Sequence, residues 1–177
     1  IYLIGKQLYP FGDGTVLVLD LNGQYVSFYE GLYDILQERS RDSNICWYST
    51  PHCSLRNTPD NYPALNGRDF IPINERMLFA LSNEYPIGTN SEGFRWMRNT
   101  FAFHDVMAVP LRNGLKYLGQ AISVPRPGLA IVCMEGIVAL PSFMRDWDII
   151  EISLEEAKAF AADGLSIDDR TYVIGIS

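Results

Sequence analysis

The sequence has few of the residues on which metal and redox chemistry depends. It contains three cysteines and two histidines among 177 residues. Cys46, Cys53 and Cys133 are scattered without the close pairing of a zinc site, and two of them sit beside strand-like apolar runs, so reduced, buried thiols are expected and neither a metal nor a cofactor is called for. Cations are scarce as well. Fourteen Lys and Arg stand against twenty-one Asp and Glu, a net charge of -7 with no basic cluster, which excludes a nucleic-acid backbone as the ligand. No apolar run approaches the ~18 residues that span a membrane, and the first residues lack the charged flank of a secretory core. The chain starts at Ile1 rather than Met, as expected of a processed, excised or partly defined polypeptide.

What is abundant points to a globular chain. Apolar residues make up 47% and charged residues 20%, enough for one domain over residues 1–177 that buries roughly two thirds to 70% of its unfolded surface. Ten Tyr, nine Phe and three Trp supply large contact area, while ten Pro and fourteen Gly indicate many turns rather than a helical bundle.

The apolar pattern repeats. Thr15–Leu19 reads as a strand, Tyr29–Arg39 as an amphipathic helix with Leu32, Ile35 and Leu36 on one face, and Ile45–Tyr48 as the next strand. Asp69–Ile73 and Met77–Leu81 flank a turn at Asn74-Glu75-Arg76, Ser91 caps a helix that runs to Asn99, and His104–Val109 is a strand. Leu118–Val124 and Leu129–Cys133 flank Pro125-Arg126-Pro127-Gly128; Pro141–Arg145 reads as a short helix before the strand Asp148–Ile152. Ser153-Leu154-Glu155-Glu156 is a capping box, opening a helix to Asp163 that Gly164 stops in the left-handed conformation. A last hairpin pairs Leu165–Ile167 with Thr171–Ile174. Hairpin turns thus recur every about 45 to 50 residues, the spacing of a radial or solenoid repeat.

The usual catalytic motifs are weak. Gly12-Asp13-Gly14-Thr15 lacks the Lys and the length of a phosphate loop and reads as a turn. With only His52 and His104 available and no nucleophile elbow, Ser/His/Asp catalysis has no support. In His52-Cys53-Ser54-Leu55 an imidazole neighbours a thiol, but adjacency in sequence does not build the spatial triad that thiolate chemistry requires. Phe94, Trp96 and Met97, at helical spacing, read as core.

Several segments, in order, resemble the arginine:glycine amidinotransferases of the guanidine-modifying superfamily. They are Trp47-Tyr48-Ser49-Thr50-Pro51, Asn66-Gly67-Arg68-Asp69-Phe70-Ile71-Pro72-Ile73-Asn74, Gly88-Thr89-Asn90 through Asn99, and Ile122-Ser123-Val124-Pro125-Arg126-Pro127-Gly128 through Val132. The resemblance implies an α/β fold, the five-bladed pentein propeller of repeated hairpin-helix-strand units, here incomplete at about four of five blades and lacking the C-terminal one. It also implies site roles. Asp69 matches the Asp whose carboxylate grips a guanidinium through two N–H bonds; the alternative is that it caps the turn after Asn66-Gly67. Asn90 matches a position near the substrate pocket, or else caps a helix. The family's His-x-Asp, which handles protons, reads Tyr117-Leu118-Gly119 here, and a phenol of ordinary pKa near 10 followed by a glycine does not replace imidazole and carboxylate. His104-Asp105 lies a strand earlier, where the family has a non-catalytic His, so a structural role is expected. The family's nucleophilic Cys follows the hairpin that Leu165–Ile174 resembles, and the chain stops before it.

Two readings follow from the resemblance. One is a degenerate, non-catalytic subunit, a structural or binding component of a larger assembly, with partner subunits covering the strand edge and apolar face that a missing blade leaves open. The other is an arginine-modifying enzyme, an amidinotransferase or guanidine hydrolase, whose Cys-bearing segment lies on another chain or outside this sequence. Between them stands a guanidinium sensor that uses Asp69 to hold arginine or another guanidino compound without chemistry. Because the family includes mitochondrial enzymes, the resemblance implies an intracellular protein with the mitochondrion as its compartment.

Overall fold

The computed structural model describes residues 8–11, 14–19, 26–42, 46–49, 62–81, 88–168 and 170–174. Their order is a repeat. A hairpin of β1 (Leu8–Pro10) and β2 (Thr15–Val18) is followed by α1 (Val26–Asp42) and by β3 (Cys46–Ser49), which pairs parallel to β2. The second unit has β4 (Phe70–Ile73), β5 (Arg76–Leu81), α2 (Ser91–Thr100) and β6 (Asp105–Pro110), again antiparallel then parallel. The third has β7 (Ile122–Arg126), β8 (Leu129–Val132) and β9 (Asp148–Glu151), but its crossover holds two short 3-10 turns, Met134–Gly136 and Ser142–Met144, in place of a long helix. Short helices α3 (Leu118–Ala121) and α4 (Leu154–Lys158) lead into β7 and into a fourth hairpin, β10 (Gly164–Asp168) with β11 (Thr171–Ile174). The fold is therefore α/β, with three three-stranded sheets and one two-stranded sheet, each separate and none closed on itself among the described residues.

Local chemistry explains the hairpins. Between β4 and β5 Asn74 adopts φ 53°, a left-handed conformation that Asn tolerates because its short amide can bond locally. Between β7 and β8 the pair Pro127-Gly128 supplies the fixed φ and then the positive φ, 85° at Gly128, that a tight turn needs. Both turns lie where the sequence placed them, and the fourth hairpin pairs Gly164–Asp168 with Thr171–Ile174, close to the expected strands.

Other boundaries differ from the sequence reading. The helix opened by the Ser153 box is short, ending at Lys158 rather than Asp163, because Phe160 turns into the left-handed region at φ 63°. Gly164 is accordingly not the helix stop; it begins β10, where a β-carbon would come within 2.6 Å of both the Tyr172 ring and the Val173 carbonyl oxygen. Leu118 starts a helical turn rather than a strand, since the Gln120 side chain accepts the Lys116 and Tyr117 amides and curls the backbone before β7. α2 is capped by Asn90, not Ser91: the Asn90 carbonyl oxygen accepts from the Gly93 amide at 2.8 Å. Cys133 is buried as expected, but Cys46 is exposed on the outer strand of the first sheet. His52 and Cys53 lie outside the described residues.

Two apolar layers join the units. Met97 of α2 and Phe101, the residue that caps its C-terminus, share one cluster with Met77 and Phe79 of β5 and with Leu17 and Leu19 from the first unit, so this helix is clamped between two sheets. Trp96 and Phe94 pack partly buried on the same cluster, the core role expected of them. The opposite face of β5, Leu78 and Ala80, shares the larger cluster with Ala130 and Val132 of β8, Leu118, Ala121 and the crossover residue Met144. Alternation along β5 therefore buries both of its faces, the pattern of a central strand covered on each side. Among the described residues no helix is long and apolar enough to cross a membrane.

Candidate functional site

The first strands of all four hairpins meet at one cleft of about 450 Å³. Tyr9 comes from β1, Phe70 and Ile71 from β4, Ser123 from β7 and Ser166 from β10, with Gly119 of α3 at the same wall. One cation, Arg68, and one carboxylate, Asp163, are among its lining residues.

Asp69 sits beside this cleft at the end of the 3-10 turn Gly67–Asp69, and it is 0% exposed. The turn forms because the Asn66 side chain accepts the Arg68 amide at 2.9 Å, and the Asp69 amide bonds the Asn66 carbonyl at 2.9 Å. Each carboxylate oxygen then accepts a backbone amide from a different segment: Thr89 donates to Oδ2 at 2.9 Å and Leu118 to Oδ1 at 3.1 Å. Thr89 in turn takes the Asn66 amide on its hydroxyl oxygen at 3.1 Å. Burial pushes the Asp69 carboxyl up to about 7, against the pull of the Thr89 and Leu118 bonds, which favour the ionised form. One side chain thus ties together β4, the start of α2 and the start of α3.

Asn90 lies next to this knot. Its carbonyl oxygen accepts the Ala64 amide at 3.0 Å as well as that of Gly93, and its amide donates to the Tyr62 carbonyl at 2.7 Å. The close approach needs Gly93, where a β-carbon would lie 2.1 Å from the Ala64 carbonyl oxygen.

At the position of the proton-handling pair, the Tyr117 ring lies under a cation. The Arg68 guanidinium stands 5.2 Å from its centroid, a cation–π contact. Gly119 places no side chain in the cleft; a β-carbon there would be 3.6 Å from both the Arg68 carbonyl oxygen and Asp163 Oδ1. Across the cleft the Tyr172 hydroxyl donates to the Ala162 carbonyl at 2.9 Å, accepts the Gly164 amide at 3.1 Å and bonds the Ser123 hydroxyl. Burial, and secondarily the charge of Asp163, hold the Tyr172 phenol above its ordinary range. His104 is far from this chemistry in kind: its ring packs among Phe11 and Phe101, at centroid distances of 5.3 and 6.0 Å. Among the described residues no three His, Cys, Asp or Glu side chains group as metal ligands.

Of the residues the sequence marks as site candidates, Asp69, Asn90, Tyr117 and Gly119, the structure brings Asp69, Tyr117 and Gly119 around one short stretch of backbone. Arg68, Asp163 and the Ser123–Tyr172 pair were missed. Each of their contacts joins distant segments, and no spacing or motif in the chain signals them.

Solved structures resemble this one. The amidinotransferase SxtG of the saxitoxin biosynthetic pathway, from Microseira wollei, superposes with a TM-score of 0.71 at 16% identity over 94% of this chain and 56% of that one. The inosamine-phosphate amidinotransferase StrB1 of Streptomyces griseus gives 0.61 at 20% identity over 82% and 44%, and the DDAH of Pseudomonas aeruginosa gives 0.63 at 16% over 92% and 56%. The chain spans about half the length of these proteins. At such identities the likeness establishes the fold. No family model and no curated protein matches the sequence.

Proposed function

We propose, proceeding from the amidinotransferase-like pentein fold that this chain has, that it is a non-catalytic pentein unit: a structural or binding component of a protein assembly, its four sheets set around the cleft as an incomplete propeller. One observation carries this reading. Where the resemblance calls for an imidazole and a carboxylate, the chain has a phenol stacked under Arg68 and a glycine. Amidino transfer needs a nucleophile and a group that exchanges protons near the working pH, and a guanidinium fixed on the Tyr117 ring is neither. It also places a permanent positive charge beside the space where a guanidino substrate would sit, which repels rather than binds it.

Asp69 fits the same reading as a strut. A guanidinium grip requires carboxylate oxygens open to the cleft, whereas both oxygens here accept amides of the protein's own backbone and the side chain is fully buried. Asn90 is similarly spent on Ala64, Gly93 and Tyr62. A mitochondrial assembly is the setting we propose, on the resemblance alone.

One contact favours the alternative, an arginine-modifying enzyme. Asp163 brings a carboxylate beside Gly119 and so returns an acid to the neighbourhood of the motif's third position. Turnover separates the two. Incubation of the full chain with arginine, and glycine or water, should yield neither ornithine nor citrulline; product formation that Cys53→Ala abolishes would establish the enzyme.

A further inference from the structure

Arg68 is a cation without an acid. Other arginines are matched: Arg76 pairs with Asp105 at 3.4 Å, Arg95 with Glu92 at 2.8 Å, and Arg112 donates to the Glu135 and Met134 carbonyls. Among the described residues no carboxylate or carbonyl accepts from the Arg68 guanidinium, which meets the Tyr117 ring instead. Yet Arg68 is half-buried at the wall of the cleft, a setting in which a positive charge is normally paired. A cation–π contact fixes the guanidinium through its charge and does not use its N–H donors. The fork that bonds an anion is therefore held in place and unspent.

The rest of the wall indicates what the anion is attached to. Tyr9, Ile71, Pro72, Ile122, Val124 and Leu165 make it largely apolar. Its hydroxyls are taken up by the protein: Ser123 bonds Tyr172, Tyr172 also bonds Ala162 and Gly164, and Ser166 donates to the Pro125 carbonyl at 2.8 Å. The cleft volume of about 450 Å³ is in the range that small organic ligands fill. Asp163 limits the charge. A β-carbon on Gly119 would stand 3.6 Å from both Asp163 Oδ1 and the Arg68 carbonyl oxygen, so the two residues flank the same glycine. A ligand with two negative charges would find one cation and an opposing carboxylate, leaving its second charge unpaired in an apolar cleft.

We infer that the cleft binds a small monocarboxylate with an apolar body, its head on the Arg68 guanidinium and its body along Ile71, Val124 and Leu165. The charge that turns a guanidino compound away is the one that holds this ligand. The inference rests on the non-catalytic reading above and names the class of molecule that the binding component takes.

Methyl NMR of the full chain, titrated with 3-phenylpropionate, tests it without any variant. The methyl signals of Ile71, Ile122, Val124 and Leu165 should shift and saturate with a Kd of about 1 mM or tighter, as expected for a ligand of roughly ten heavy atoms. 3-Phenylpropanamide keeps the body without the charge and 2-phenylethyl phosphate carries two charges; each should bind about tenfold more weakly. Arg68→Gln should weaken the acid about tenfold and leave the amide unchanged, a split that a damaged fold would not produce. Equal affinity for acid and amide, tighter binding of the phosphate, shifts confined to other methyls or no shifts at all overturn the inference. Those results leave the non-catalytic reading standing, whereas turnover of arginine sinks that reading by itself.

Discussion

β5 and β11 occupy the same place in their units, yet they have opposite fates. Both are short apolar strands that close a hairpin. Met77, Leu78, Phe79 and Ala80 of β5 are all buried, whereas Val173 and Ile174 of β11 are about half exposed. The difference lies outside the strands. β5 has α2 against one face and the third unit against the other, with β6 along its free edge, while β11 has the β10 partner and the contact of Tyr172 with β7. Strand formation is thus a local property here, and burial is conferred by the neighbouring unit.

Substitution should expose that contrast most clearly in the core. Phe79→Ala is expected to cost about 3–5 kcal/mol, because the cavity it leaves is closed on both sides, and Val173→Ala about 0.5 kcal/mol or less. Urea denaturation of the two variants measures this, and equal losses would mean that β11 is covered after all.

The next effect is a dependence on pH. The Asp69 carboxyl is pushed up to about 7 in the folded protein, above its ordinary value of 3.8, so between those values the folded state holds a proton that the unfolded chain releases. The contribution is fully present below about pH 4 and is lost as pH rises through 7, by at most roughly 4 kcal/mol. Urea midpoints taken from pH 4 to 8 should fall over this window, and Asp69→Asn should flatten the fall. A wild-type curve that rises instead would show that the Thr89 and Leu118 bonds outweigh burial.

Smallest is the effect of Tyr172→Phe. Without the hydroxyl, the Gly164 amide and the Ala162 carbonyl lose their partner, a loss of about 1–2 kcal/mol that is local to the fourth hairpin. Hydrogen exchange should quicken across residues 164–174 and stay unchanged across β5. Equal quickening in both would deny the independence of the two regions.

Much of the fold could be read from residues whose effect is local. Asn74 and Pro127-Gly128 mark their turns by backbone preference, and the Ser153–Glu156 box is visible because donor and acceptor lie in one turn. The errors also have local causes. Phe160 takes a conformation that its type seldom adopts, so the helix seemed longer than it is, and Leu118 looked like strand because the Gln120 bonds that curl it leave no apolar pattern. The site was half legible. Asp69 stood out by its motif, but its partners are backbone amides of Thr89 and Leu118, which any residue could supply, and the stacking of Arg68 on Tyr117 arises only once α3 folds beside the 3-10 turn.

The Asp69 carboxylate is either a strut of the fold or a guanidinium grip. Calorimetric titration of arginine into the full chain, before and after Asp69→Asn, tests this directly. A strut gives no heat of binding in either protein; binding by the wild type that Asp69→Asn removes, in a variant that still unfolds cooperatively, would contradict that role.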